Sequence, residues 1–88
     1  MDITIWYRPE FIRLYNKLVS SLQEEVKEKI NLFKDRNNHK ALKVHKLHGR
    51  LRDRYGFSVN YKYRVIFVYV NKKTVALLSV GDHEVYDK

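Results

Sequence analysis

The chain has 88 residues, 44% of them hydrophobic and 14% aromatic, which suits one small domain with its own core and is too apolar for a disordered chain. It contains no cysteine, which excludes disulfides and thiolate metal sites, and its longest apolar run, Val65 to Val70, is far too short to span a bilayer. Eighteen Lys and Arg against ten Asp and Glu leave a net charge of +8, a composition that attracts polyanions such as nucleic acid or an acidic protein segment.

That charge is unevenly placed. The stretch from His39 to Arg54 is rich in Lys, Arg and His, with Asp53 its single acid, whereas residues 20–35 are nearly balanced. The N-terminal MDITIWYRPEF has an early acid and no long apolar core, so a signal peptide is not expected and a soluble, cytoplasmic protein is.

In chain order, Ile3 to Tyr7 is β-branched and aromatic and predicts a short strand. Pro9 suits the first turn of a helix, in which Phe11, Leu14, Tyr15, Leu18 and Val19 recur at helical spacing. The pattern breaks at Ser20-Ser21. Ser21 and Glu24 read as a capping box that restarts a helix with the apolar stripe Leu22, Val26, Ile30 and Phe33. The turn-rich Asp35-Arg36-Asn37-Asn38 closes this helical hairpin.

Residues 39–50 show no clean period. Three strands are expected beyond them: Leu51 to Val59, Tyr61 or Lys62 to Val70, and Thr74 to Val80 after the polar turn Asn71-Lys72-Lys73. The middle one is apolar on both faces and belongs at the centre of a sheet. Short connections between these strands imply antiparallel pairing. The expected fold is therefore α+β over residues 1–88, a single domain of order β-α-α-β-β-β, with an antiparallel sheet and the helical hairpin packed on one face.

No phosphate-binding glycine loop, zinc-protease motif or Cys/His cluster is present, and Ser58 and Ser79 lack a nucleophile elbow. What remains is a basic segment, the strand residue Arg64, the C-terminal His83 and Tyr86, and the arginines Arg52 and Arg54 on one face of their strand. That set suits metal-free cleavage of RNA. Attack of a ribose 2′-hydroxyl on its own phosphate needs a base, cations around the phosphorane-like transition state, and an acid for the leaving 5′-oxygen. His titrates closest to neutrality, Arg grips phosphate oxygens bidentately, and Tyr stacks on an unpaired base. No metal and no cofactor are expected. The everyday alternatives are a solvated loop for His83, packing for Tyr86, a strand-end Arg reaching solvent for Arg64, and surface positions for His45 and His48.

The order of elements, together with ALKVHKLHGRLRDRY, NYKYRVIF and the ending LLSVGDHEVY, resembles the RelE/ParE superfamily of type II toxins over nearly the whole chain. KLHG at 46–49, YRVIF at 63–67 and GDHEVY at 81–86 resemble its recurring motifs, the last being most similar to the His-ended YafQ-like and YoeB-like branch. The resemblance implies an mRNA interferase of a toxin–antitoxin system, cutting mRNA on the ribosome and silenced by a cognate antitoxin. It implies Arg64 as the phosphate contact, His83 as general acid or base, and Tyr86 near a C-terminal functional Tyr. His45 falls where YafQ-like toxins carry a further His.

Arg52 and Arg54 stand in for second-strand lysines that have no secure match, and Ser58 replaces a His of the YafQ-like branch. The YoeB-like general base has no counterpart unless Asp53 serves. Lys43, Lys46 and Arg50, with Arg52 and Arg54, are expected to grip mRNA or 16S rRNA, and operator DNA is reached through the antitoxin complex. Two other readings stay open: a ParE-like inhibitor of DNA gyrase, which acts by binding, and an attenuated member that binds antitoxin without catalysis.

Overall fold

A computed structural model of the chain describes residues 2–51 and 53–82. Strand β1 (Thr4–Tyr7) leads through Arg8 into helix α1 (Pro9–Asn16), followed by α2 (Ser20–Phe33). After a 3-10 turn at Arg36–Asn38 come the short strand β2 (His45–Lys46), a second 3-10 turn at Gly49–Leu51, and strands β3 (Tyr55–Ser58), β4 (Arg64–Asn71) and β5 (Thr74–Gly81). Among the described residues no helix is long and apolar enough to cross a membrane.

Pro9 opens α1 behind an extended Arg8, as its fixed φ and missing N–H favour. The Ser21–Glu24 capping box does not form. The extended residue before α2 is Val19, whose carbonyl accepts from the N–H groups of Leu22 and Gln23, both at 3.0 Å, so Ser21 is already inside the helix. The hairpin is tied by side chains instead: Gln23 Nε2 donates to the Tyr15 carbonyl at 2.9 Å, and the Tyr15 hydroxyl donates to the Gln23 carbonyl at 3.3 Å. Asp35 caps the turn that follows, accepting from Asn37 N–H at 2.9 Å.

The sheet order is β1-β5-β4-β3-β2. Strands β2, β3, β4 and β5 pair antiparallel with their neighbours, but β1 lies parallel to β5, with Thr4 opposite Thr74 and Tyr7 opposite Leu77. The α+β class holds, and the sheet is mixed rather than wholly antiparallel. The reason is topological. The helical hairpin carries the chain from β1 across one face to β2 at the far edge, and the antiparallel steps from β2 back through β3 and β4 bring β5 beside β1 in the same direction.

Strand boundaries also shift. Gly49 takes φ +69°, a left-handed conformation that glycine adopts without steric cost, and the 3-10 turn there delays β3 to Tyr55. Asn60 Oδ1 accepts from the N–H groups of Lys62 and Tyr63, both at 2.8 Å, which turns the chain and delays β4 to Arg64. The strand β2, in the stretch with no period, pairs His45 with Gly56 and Lys46 with Tyr55.

The core lies between the helices and one face of the sheet. Phe33 of α2 is fully buried, with ring centroids 4.6 Å from Phe57, 4.8 Å from Phe67 and 4.6 Å from His39. Val26 and Ile30 of the same stripe join Val65, Phe67, Val75, Leu77 and Val80 of the central strands. Burial of His39 against Phe33, with Nε2 2.8 Å from the Phe33 carbonyl oxygen, accounts for that imidazole as part of the packing.

Candidate active site

The site is built on the sheet face that the helices leave open. Along β4, Val65 and Phe67 pack toward the helices, so alternation turns Arg64 and Ile66 to the opposite face. Strand pairing extends this face into rows: Ser58, Arg64 and Gly81 in one, and His45, Gly56, Ile66 and Ser79 in the next. Leu47, Ile66 and Leu78 form a small apolar cluster there. Leu47 N–H bonds to the Arg54 carbonyl at 2.9 Å, which continues the β2–β3 pairing and sets Arg54 beside them.

A β-bulge shapes the floor of the site. Ile66 pairs with Ser79 and Phe67 with Leu77, so β5 holds one extra residue, Leu78. The irregularity lets Leu77 and Val80, three apart, both face the core. It also lines Leu78 and Ser79 consecutively along one cavity of about 720 Å³. Arg54, Ile66, Gly81 and Asp82 contribute to the same cavity, and the start of α1 closes it with Arg8, Glu10 and Arg13.

Within the cavity, Arg13 grips Glu10 through two hydrogen bonds, Nε to Oε1 at 2.9 Å and Nη2 to Oε2 at 2.7 Å. The hydrogen bonds to Glu10, and then its charge, push the Arg13 guanidinium above its ordinary value. Their charges offset each other, and Arg8 and Arg54 give the lining its positive excess.

Arg64 is half-buried. Its Nη1 donates to the Asn60 carbonyl at 2.5 Å and the Tyr63 carbonyl at 3.0 Å, and Asn60 Nδ2 in turn donates to Glu25 Oε1 of α2 at 2.8 Å. A guanidinium has five donors, and both carbonyl bonds use Nη1, so the fork is anchored at one end while keeping donors for an anion.

Arg54, Arg64 and His45 thus share the open face. His45 is exposed, and its Nδ1 donates to the Lys43 carbonyl at 2.8 Å, fixing the proton of the neutral ring on Nδ1. Lys46 is not brought to them. It is exposed on β2 and belongs to the row of Tyr55, Phe67 and Leu77, which faces the helix side. Lys43 is exposed with φ +58°, and Arg50 is exposed in the 3-10 turn. Arg52, His83 and Tyr86 lie outside the described residues. Sequence reasoning missed Arg8 and Arg13 of the cavity, and Asn60. The signals for them were Arg8 directly before a helix-opening Pro, and an Asn at a strand end.

No protein-family model matches the chain, and no curated protein does. Among solved structures, a double mutant of the Escherichia coli toxin RelE in the free state superposes with TM-score 0.73 at 24% identity, covering 99% of this chain and 90% of that one. YafQ from Escherichia coli gives TM-score 0.73 at 16% identity, over 94% of this chain and 96% of that one. A chain of the toxin–antitoxin complex RelBE2 from Mycobacterium tuberculosis gives 0.72 at 19%, over 94% of this chain and 100% of that one. The chain has the RelE-like toxin fold. In RelE-like terms the cavity sits on the open sheet face, at the end of β5 that leads into residues 83–88.

Proposed function

We propose that the chain is the toxin of a type II toxin–antitoxin pair and an endoribonuclease that cuts mRNA on the ribosome. The observation that carries this reading is that Arg54 and Arg64 share the open face, Arg54 lining a cavity that also holds Gly81, the partner of Arg64 on β5, and Asp82, directly before His83 in sequence. The RelE-like fold supports it, as does the net charge of +8.

In the proposed reaction a base removes the ribose 2′-hydroxyl proton, and the oxygen attacks the adjacent phosphorus. Charge on the equatorial oxygens meets the guanidinium groups of Arg64 and of Arg54 or Arg52. The P–O5′ bond then breaks with proton delivery to the leaving oxygen, giving a 2′,3′-cyclic phosphate and a 5′-hydroxyl. His83 acts as the acid or base, with Tyr86 and His45 assisting. Lys43, Arg50 and Arg54 hold the RNA or the rRNA around it, while Lys46, turned to the other side of β2, contributes less.

The partner is a cognate antitoxin with an acidic or amphipathic segment, in keeping with the match to a chain taken from a toxin–antitoxin complex. The site of action is cytoplasmic. Induction of the chain alone tests the reading: arrest of protein synthesis within minutes, without a DNA-damage response, is the expected result. A DNA-damage response with translation intact would support gyrase inhibition instead, and no growth effect would support an attenuated binding protein.

A further inference from the structure

Trp6 is the chain's single tryptophan, and it is 53% exposed. Its neighbours on β1 are accounted for: Ile5 packs against the core, and the Tyr7 ring lies 5.8 Å from Phe11 of α1. Alternation therefore turns Trp6 to the open face, the face of the proposed site. Register agrees, because Trp6 pairs with Ala76, and Ala76 with Val68, two residues along β4 from Ile66. Ala76 is likewise two residues along β5 from Leu78, and Arg8 of the cavity is two along from Trp6. Two residues of strand span roughly 7 Å, so the indole adjoins the rim of the cavity.

An indole left half in water beside a small residue, next to a cavity lined by Arg8 and Arg54, has two chemical features of a single-strand site: a flat stacking surface and cations for the backbone. Of the carboxylates in the cavity lining, Glu10 is gripped by Arg13, which offsets its charge toward an anion.

We propose that Trp6 is a stacking platform for an unpaired base of single-stranded RNA whose neighbouring phosphate enters the cavity lined by Arg8 and Arg54. The assignment rests on the endoribonuclease reading and adds a binding residue to it. Positive charge along the face favours a polyanion over an acidic-poor protein surface, and π-stacking favours one whose bases are unstacked.

The indole is also the probe. Titration of the protein with a 2′-O-methyl oligoribonucleotide, which binds but has no attacking hydroxyl, is expected to quench Trp6 fluorescence to saturation. Trp6→Ala is expected to raise the Kd roughly 10- to 100-fold, with Trp6→Phe recovering most of the loss. For an oligomer of abasic residues, which keeps the phosphates and lacks bases, wild type and Trp6→Ala should bind alike. A change confined to folding would not produce that base dependence.

Unchanged fluorescence at saturating RNA, or equal affinities of wild type and Trp6→Ala for the base-bearing strand, would overturn the proposal. So would a Trp6→Ala protein that keeps RNA affinity and loses only its hold on an acidic protein partner. The two readings fail separately: quenching without any cleavage of translated mRNA would remove the nuclease and leave the platform, and cleavage without quenching would do the reverse.

Discussion

Arg64 owes its position to Asn60, whose carbonyl receives the guanidinium while its side chain ties the β3–β4 turn to Glu25 on α2. Asn60→Ala removes the acceptor for two backbone N–H groups and the bond to Glu25, and should cost about 1–3 kcal/mol in urea unfolding. Asn60→Asp keeps both acceptor bonds but sets a carboxylate against Glu25, so its loss should lie between wild type and alanine and shrink at acidic pH. Arg64→Lys retains the charge and loses the planar fork. It should lower the rate of RNA cleavage about 100-fold while leaving the unfolding midpoint close to wild type. At alkaline pH a different residue answers. Burial, then the neighbouring Tyr15, raises the Tyr7 phenol above its ordinary value of 10.0, so the unfolded chain ionises first. Stability from this group is complete below pH about 10 and is lost as pH rises through the folded value. Unfolding midpoints measured through that range should fall more steeply for wild type than for Tyr7→Phe.

At the scale of elements, the contact that joins the helical layer to the sheet is the ring cluster of Phe33, Phe57 and Phe67. Phe33→Ala should cost about 3–5 kcal/mol, read from denaturant unfolding, because a fully buried ring and its packing partners are lost together. The helix stripe that contains Phe33 was legible in the sequence from its spacing alone, as was the face of Arg64, since both follow from a fixed period. Other features depend on partners that no local pattern names. The parallel pairing of β1 is decided by where the helical crossover lands, and β2 is too short to have a period. Ser21 looked like a cap, yet Val19 took that place because the chain was already extended there. The bulge at Leu78 was invisible because LLSV reads as ordinary strand, and only the register against Ile66 and Phe67 reveals the extra residue.

Across the whole molecule, charge and topology act together. A net charge of +8 attracts RNA in general, while the fold selects which cations meet at one face. The sequence showed the basic stretch from His39 to Arg54 but not its division, which places Arg54 beside the cavity and Lys46 on the other side of β2. Arg54→Gln should therefore reduce the slope of log K against log salt for single-stranded RNA by about 0.7, and Lys46→Gln should change cleavage by less than Arg54→Gln does. Trp6 was equally hidden, because TIWY is apolar on both faces and only strand pairing sets the indole opposite the face on which Ile5 and Tyr7 lean toward the core.

The central claim is metal-free RNA cleavage by the Arg64 face and His83. The most direct measurement is the mapping of RNA 5′ ends, with assay of their chemistry, on transcripts translated with wild type, Arg64→Ala and His83→Ala in the presence of a chelator. New ends bearing a 5′-hydroxyl, paired with a 2′,3′-cyclic phosphate, are predicted for wild type, with yields lower by about 100-fold or more in both variants. Equal cleavage by all three proteins, or 5′-phosphate ends that vanish with chelator, would contradict it.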